Sequence, residues 1–222
     1  MRKSLICTLV SSSLVAATAS AATYTSKGTA GETLATAEVV SGSGSLSSIS
    51  GSLTISNNLS TGNLFEIYIS DTSAFSASTA MTQLGVNNFD TELFLFTATG
   101  VAVEMNDDTS TTSQSLLPSS SAILSSLSAG IYYLLIEGAG RTPVDSSGTS
   151  LFATGSDPSA VYGANSSAGA LAAITGNSSY GGSYSIVLTG AQFVVPEPST
   201  TLMLLAGLGA GALRRKNPRR IG

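Results

Sequence analysis

The sequence predicts an all-β protein, an antiparallel and jelly-roll-like β-sandwich, and three observations carry that prediction. Only 10% of the 222 residues are charged, which is too few for the solvent faces of long amphipathic helices. Between the two ends, apolar residues come in short groups separated by Gly, Ser, Asn and Asp, the punctuation of strands and turns. No amphipathic helical pattern of convincing length interrupts them.

The elements follow in order. Residues 23–31 are polar and aperiodic and are expected to form a flexible lead into a domain spanning 32–193. Leu53 and Ile55 alternate with Ser and Thr, and Phe65, Ile67 and Ile69 alternate with Leu64, Glu66 and Tyr68, which is the pattern of half-buried strands. Leu93–Phe96 and Ile131–Ile136 are continuous apolar runs, too short for helices, and are expected to be central strands. Thr97-Ala98-Thr99-Gly100 joins the first run to the alternating Val101, Val103 and Met105, predicting a hairpin. Short helical turns are expected around 72–77 and 122–127. Tyr184, Ile186 and Leu188 supply the last strand. The Gly/Ser/Ala-rich stretch 138–182 is expected to be disordered or a loose flap, the alternative being weak pairing of Ala170–Ile174 with a sheet edge.

The two ends have different chemistry from the body. Arg2 and Lys3, an apolar run from Leu5 to Ala17 and the small residues Ala19-Ser20-Ala21 form the three regions of a secretory signal peptide over 1–22, with cleavage after Ala21 or Ala22 by signal peptidase. The run is broken by serines and falls short of the ~20 apolar residues of a membrane span. At the other end, Pro196-Glu197-Pro198 precedes an apolar segment over 200–213 and the basic residues Arg214, Arg215, Lys216, Arg219 and Arg220. The two prolines keep the motif extended, and the basic end would stay on the cytoplasmic side of a membrane while the short helix-forming segment enters it. In order and spacing, residues 194–222 resemble the PEP-CTERM sorting signal. That resemblance implies recognition by an exosortase-type membrane peptidase, transient anchoring through the tail, and delivery to the cell envelope or extracellular matrix of a Gram-negative bacterium, where extracellular polysaccharide is the neighbouring partner.

Because the basic residues sit at the ends, the net charge of −4 hides an acidic body. Between Thr23 and Val195, twelve carboxylates face only Lys27 and Arg141, a formal charge near −10. Such a surface repels nucleic acid and attracts divalent cations. Cys7, the single cysteine, lies in the signal region, so the body carries no disulfide. With no histidine, the commonest general base and zinc ligand are missing, and no Gly-x-Ser-x-Gly elbow is present. A noncatalytic role is expected.

A second resemblance covers residues 64–190. Phe89-Asp90-Thr91-Glu92-Leu93-Phe94-Leu95-Phe96, Thr99-Gly100, Asn106-Asp107-Asp108, Leu127-Ser128-Ala129-Gly130-Ile131-Tyr132-Tyr133-Leu134 and the closing Gly182–Gly190 strand resemble the bacterial pre-peptidase C-terminal domain. It implies a jelly-roll module serving secreted proteins as an accessory or binding unit.

One constellation invites a chemical reading. The hairpin would bring Asp90 beside Asn106, Asp107 and Asp108, and carboxylates with an amide oxygen on converging loops supply part of the six to eight oxygens that calcium takes. The other reading is turn chemistry, since Asn and Asp bond their own backbone at strand ends. Arg141 is expected to pair with Asp145 or another nearby acid rather than clamp a ligand. The function expected is that of an exported surface or matrix protein with a binding or structural body. The alternatives are a carbohydrate- or calcium-binding accessory module, a polysaccharide hydrolase working through Asp90 with Glu104 or Asp107, and an ice-binding protein, for which the regular Thr-x-Thr ladder is missing.

Overall fold

The computed structural model describes residues 22–56, 59–79 and 89–195. Of the signal region only Ala22 is among them; Ala19, Ala21, the Pro196–Pro198 motif, the apolar segment and the basic cluster lie outside the described residues. Among the described residues no helix is long and apolar enough to cross a membrane.

The chain is all-β. In order it forms β1 (Ala22–Thr25), a 3-10 turn (Leu34–Thr36), β2 (Glu38–Val39), β3 (Ser45–Leu53), β4 (Ile55–Ser56), β5 (Leu59–Ser60), β6 (Asn63–Ile69) and β7 (Ser76–Ser78). There follow β8 (Thr91–Thr97), β9 (Ala102–Asn106), β10 (Leu116–Leu117), the single-turn α1 (Ala122–Ser125), β11 (Gly130–Gly138), β12 (Arg141–Val144), β13 (Tyr162–Gly163), β14 (Ala173–Gly176) and β15 (Gly182–Gln192).

β6, β11, β8 and β9 lie side by side, each antiparallel to the next. The expected hairpin is β8–β9, closed by a turn in which Gly100 takes φ +79°. On the other side β15 pairs with β3 and β7, and β7 with β10. One apolar core lies between these halves: Phe65, Ile67, Leu93, Leu95, Leu134 and Ile136 from the first meet Ile49, Leu53, Ala77, Tyr184, Ile186 and Leu188 from the second. Alternation along the strands decides which residues these are, because every second side chain points the same way. β15 serves both halves. At Gly190, with φ +66°, its ladder to β3 shifts and the strand turns to pair with β6. A Cβ there would come within 2.7 Å of the Asp71 carbonyl oxygen and the Phe75 nitrogen, so the bend requires glycine.

The central runs are continuous because the first half is buried on both faces. While Tyr132, Leu134 and Ile136 face the first core, Leu135 joins Leu64, Phe94, Phe96 and Met105 in a second. The cover of that second core corrects the expectation for 138–182. This stretch is neither disordered nor a loose flap: β12 pairs with β14, β13 pairs with β9, and Leu151, Phe152 and Leu171 are buried on the sheet. Phe152, 3% exposed, sets its ring 5.4 Å from that of Phe94 and 5.6 Å from that of Phe96. Each such burial is worth about 1.5–3 kcal/mol. The edge pairing weighed for 170–174 is present as Ala170 bridging Val101 and as β14 on β12.

Three smaller expectations also change. The lead 23–31 is not free of structure, since β1 adds to the edge of β3 in parallel. Tyr24 donates to Glu38 Oε1 at 2.8 Å, and Ser26 Oγ and the Lys27 amide donate to the same carboxylate. Burial alone would raise Glu38, but these donors hold it below its ordinary value. The pairing is not purely antiparallel, because β2 also adds in parallel, to β6. Residues 72–77 give a turn running into β7 rather than a helix, as Asp71 Oδ1 accepts from the Ser73 and Ala74 amides in an Asx-turn. At 122–125 the helical turn forms as expected, with Ser121 accepting from the Leu124 amide and Leu124 buried beneath it.

Candidate functional site

The acidic residues singled out in the sequence gather where β8 begins and β9 ends. Leu93 stands opposite Asn106, so the next positions outward, Glu92 and Asp107, adjoin on the face of the second core. Carboxylate oxygens of Asp90, Asp107 and Asp108 lie within 4.8 Å of one another. Each of these aspartates has its Oδ1 buried without a hydrogen-bond donor. Withdrawal from water and the charge of Asp108 raise Asp90. Asp107 is pushed up to about 6, first by burial and then by Asp108 and Asp90.

Asn106 has a different task. Its Oδ1 accepts from the Leu116 amide at 2.7 Å and its Nδ2 donates to the Ala160 carbonyl at 3.1 Å, so it ties β9 to β10 and to the covering segment. Of the four residues singled out, the three aspartates converge and Asn106 is engaged elsewhere.

A row of acids missed in the sequence continues inward from this cluster. Across β9, β8 and β11, Asp107 adjoins Glu92, and Glu92 stands opposite Glu137. Glu92 is 9% exposed and its Oε2 finds no donor. Its carboxyl is pushed up to about 8 by burial and then by Asp107, partly offset by the backbone amides of Gly140 and Arg141. Glu137 is fully buried and also rises to about 8, burial outweighing the attraction of Arg141. Parity is a partial signal, since Asp90 and Glu92 are two residues apart at the start of β8 and Glu137 follows the Ile131–Ile136 apolar run, but it does not pair Glu92 with Glu137.

Arg141 closes the row. It is 5% exposed and pairs with both carboxylate oxygens of Glu32, while its Nη1 also donates to Glu137 Oε2 at 3.0 Å. Its expected partner Asp145 is engaged elsewhere, accepting from the amides of Ser147, Thr149 and Gly169 and held below its ordinary value by them. Glu32 in turn accepts from the Gly62 amide at 2.6 Å. Glu104, weighed as a partner of Asp90 in hydrolysis, is on the other face of the strand, opposite Leu95, where its carboxylate takes the Ser121 hydroxyl.

Between this face of the sheet and the covering segment lies a cavity of about 250 Å³. Glu92 and Asp107 form its acidic side, Arg141 one corner, and Phe94, Phe152 and Tyr162 much of its remaining wall.

Fold and site together define an all-β domain with a partly buried acidic face. Residues 194–220 match the PEP-CTERM protein-sorting motif. The motif implies exosortase-dependent C-terminal sorting of an exported protein of the cell envelope. No curated protein matches the chain. No solved structure matches it either.

Proposed function

We propose that this chain is a noncatalytic cell-surface or extracellular-matrix protein whose β-sandwich is a binding module of the jelly-roll accessory type, exported through its signal peptide and processed at its C-terminus. The observation that carries this reading is the sorting motif at 194–220, which begins where the last strand of the domain ends. Val194 bridges Ser41, so the domain is complete before Pro196. The neighbouring surface is extracellular polysaccharide, and the acidic body suits contact with it through cations.

Intact mass and terminal sequencing of the protein recovered from cells and medium of the native culture test the reading. The expected mature chain begins at Ala22 and lacks the basic end. A cut after Ala21 leaves β1 whole, whereas one after Ala22 removes its first pairing, Ala22 with Leu46. A full-length chain confined to the cytoplasm would overturn the proposal.

A second reading, calcium binding at the acid cluster, is favoured by the convergence of Asp90, Asp107 and Asp108 with their buried, undonated oxygens. A divalent cation there would remove mutual repulsion that now raises Asp90 and Asp107. Calcium at 100 times its dissociation constant is expected to stabilise the fold by about 2.7 kcal/mol, read as a rise in melting temperature that Asp107→Asn abolishes. An unchanged melting temperature in millimolar calcium would sink this reading.

A further inference from the structure

We propose that the cavity between the sheet and the 138–182 segment binds a protonated amine carried on a hydroxylated ring, an amino-sugar unit of a polysaccharide, with Glu92 and Asp107 receiving the ammonium group. The choice of a polysaccharide as the source of the amine rests on the matrix reading above; the site itself rests on the geometry of the cavity.

Charge is the first argument. Glu92 is more than nine-tenths buried, its Oε2 has no donor, and it lines the cavity beside Asp107, whose Oδ1 is equally bare. A buried carboxylate oxygen left without a donor, even where backbone amides serve the rest of the group, costs free energy that a cationic ligand recovers. Arg141 does not fill that role, because its Nη groups are held by Glu32 and Glu137 on the far side of the row. The cation on its lining, Arg141, is thus already committed, while the free oxygens of Glu92 and Asp107 face the cavity with no donor among the described residues.

Wall chemistry narrows the cation. A calcium ion needs six to eight oxygens close around it, whereas here the apolar side chains of Phe94, Met105 and Phe152 share the wall with hydroxyl-bearing residues such as Thr142 and Ser150. Aromatic faces suit an organic cation or the C–H face of a sugar ring. Tyr162 closes the same side, and the exposed Thr154 and Ser156 at the rim offer hydroxyls to the hydroxyls of a ring. Size narrows it further. At about 250 Å³ the cavity is below the usual range for drug-sized ligands, roughly 300–1,000 Å³, and suits one ring rather than a chain. The metal reading occupies different ground: the three aspartates meet at the outer end of the row, with only Asp107 shared.

The experiment is calorimetric titration of the purified domain with glucosamine, N-acetylglucosamine, glucose and lysine amide in calcium-free buffer. Glucosamine is expected to bind at least tenfold more tightly than N-acetylglucosamine and glucose, which lack the ammonium group, and more tightly than lysine amide, which lacks the ring. Glu92→Gln, which replaces the carboxylate by a neutral side chain of the same shape, is expected to weaken glucosamine at least tenfold while leaving the melting temperature within a few degrees. Phe152→Leu, which keeps the segment packed but removes the aromatic wall, should also weaken glucosamine. Equal binding of glucosamine and N-acetylglucosamine, no binding of either, or displacement of glucosamine by calcium with Glu92→Gln abolishing calcium binding would each overturn the proposal. None of these outcomes bears on terminal processing, so a failure here is distinguishable from a failure of the export reading.

Discussion

Replacing Arg141 by alanine is expected to lower stability by about 3–5 kcal/mol above about pH 8, where Glu137 is ionised, the usual cost of removing one partner from a buried ion pair. Since among the described residues Arg141 is the cation paired with the fully buried Glu137, its loss removes the donor at Oε2 from a carboxylate already short of one at Oε1. For a chain of this size the cost corresponds to a fall in melting temperature of roughly 6–20 °C. The effect should depend on pH in a defined direction. Glu137 holds its proton in the fold up to about pH 8, whereas in the unfolded chain it releases it near its ordinary value of 4.5. The folded state therefore binds more protons between those values, so its contribution to stability is greatest below about 4.5 and declines as pH rises toward 8. Without Arg141 the carboxyl rises further, and the variant should be hurt more at pH 9 than at pH 5. Thermal melts of wild type and Arg141→Ala across that range check this. Adding Glu137→Gln should restore most of the loss; if the double variant is no more stable than the single one, the buried pair is not the cause.

Replacing Phe152 by alanine is expected to cost about 3–5 kcal/mol in the packing of the covering segment. The ring fills the angle between Phe94 and Phe96, and no other aromatic side chain of 138–182 is as deeply buried on the second core. Much of the cost should appear as local opening, because the first core is built from other residues. Limited proteolysis should then cut the variant within 138–182 many times faster than wild type while the remaining fragment stays folded. Equal cleavage rates would show that the segment is held by its backbone pairing rather than by this anchor.

These two positions also mark where the sequence could and could not be read. Strands β6, β8, β9, β11 and β15 were legible because their apolar residues alternate or run continuously, and both patterns survive whatever tertiary contacts they make. The covering segment was not, because its anchors are isolated: Leu151-Phe152, Leu171 and Ile174 stand among Gly, Ser and Ala with no period. It is ordered by turns such as those of Asp145 and Asn165, which fix backbone locally and say little about burial. At the site, Asp90, Asp107 and Asp108 could be grouped once a hairpin was expected. Glu92 and Glu137 could not, since their pairing depends on the register of β8 with β11, and register is a property of two strands together. Glu32 is further removed, reaching Arg141 across 109 positions of chain.

The way the chain enters and leaves the domain bears on how it is carried. Tyr24 of β1 sets its ring edge-on to Phe193, 6.4 Å away, and Val194 is held to Gly42 by a backbone hydrogen bond of 3.2 Å. Both ends of the described domain thus lie at one pole, as adjacent termini often do. Cleavage before Ala22 or after Val195 would leave this contact, and the core that Tyr24 and Phe193 join, in place.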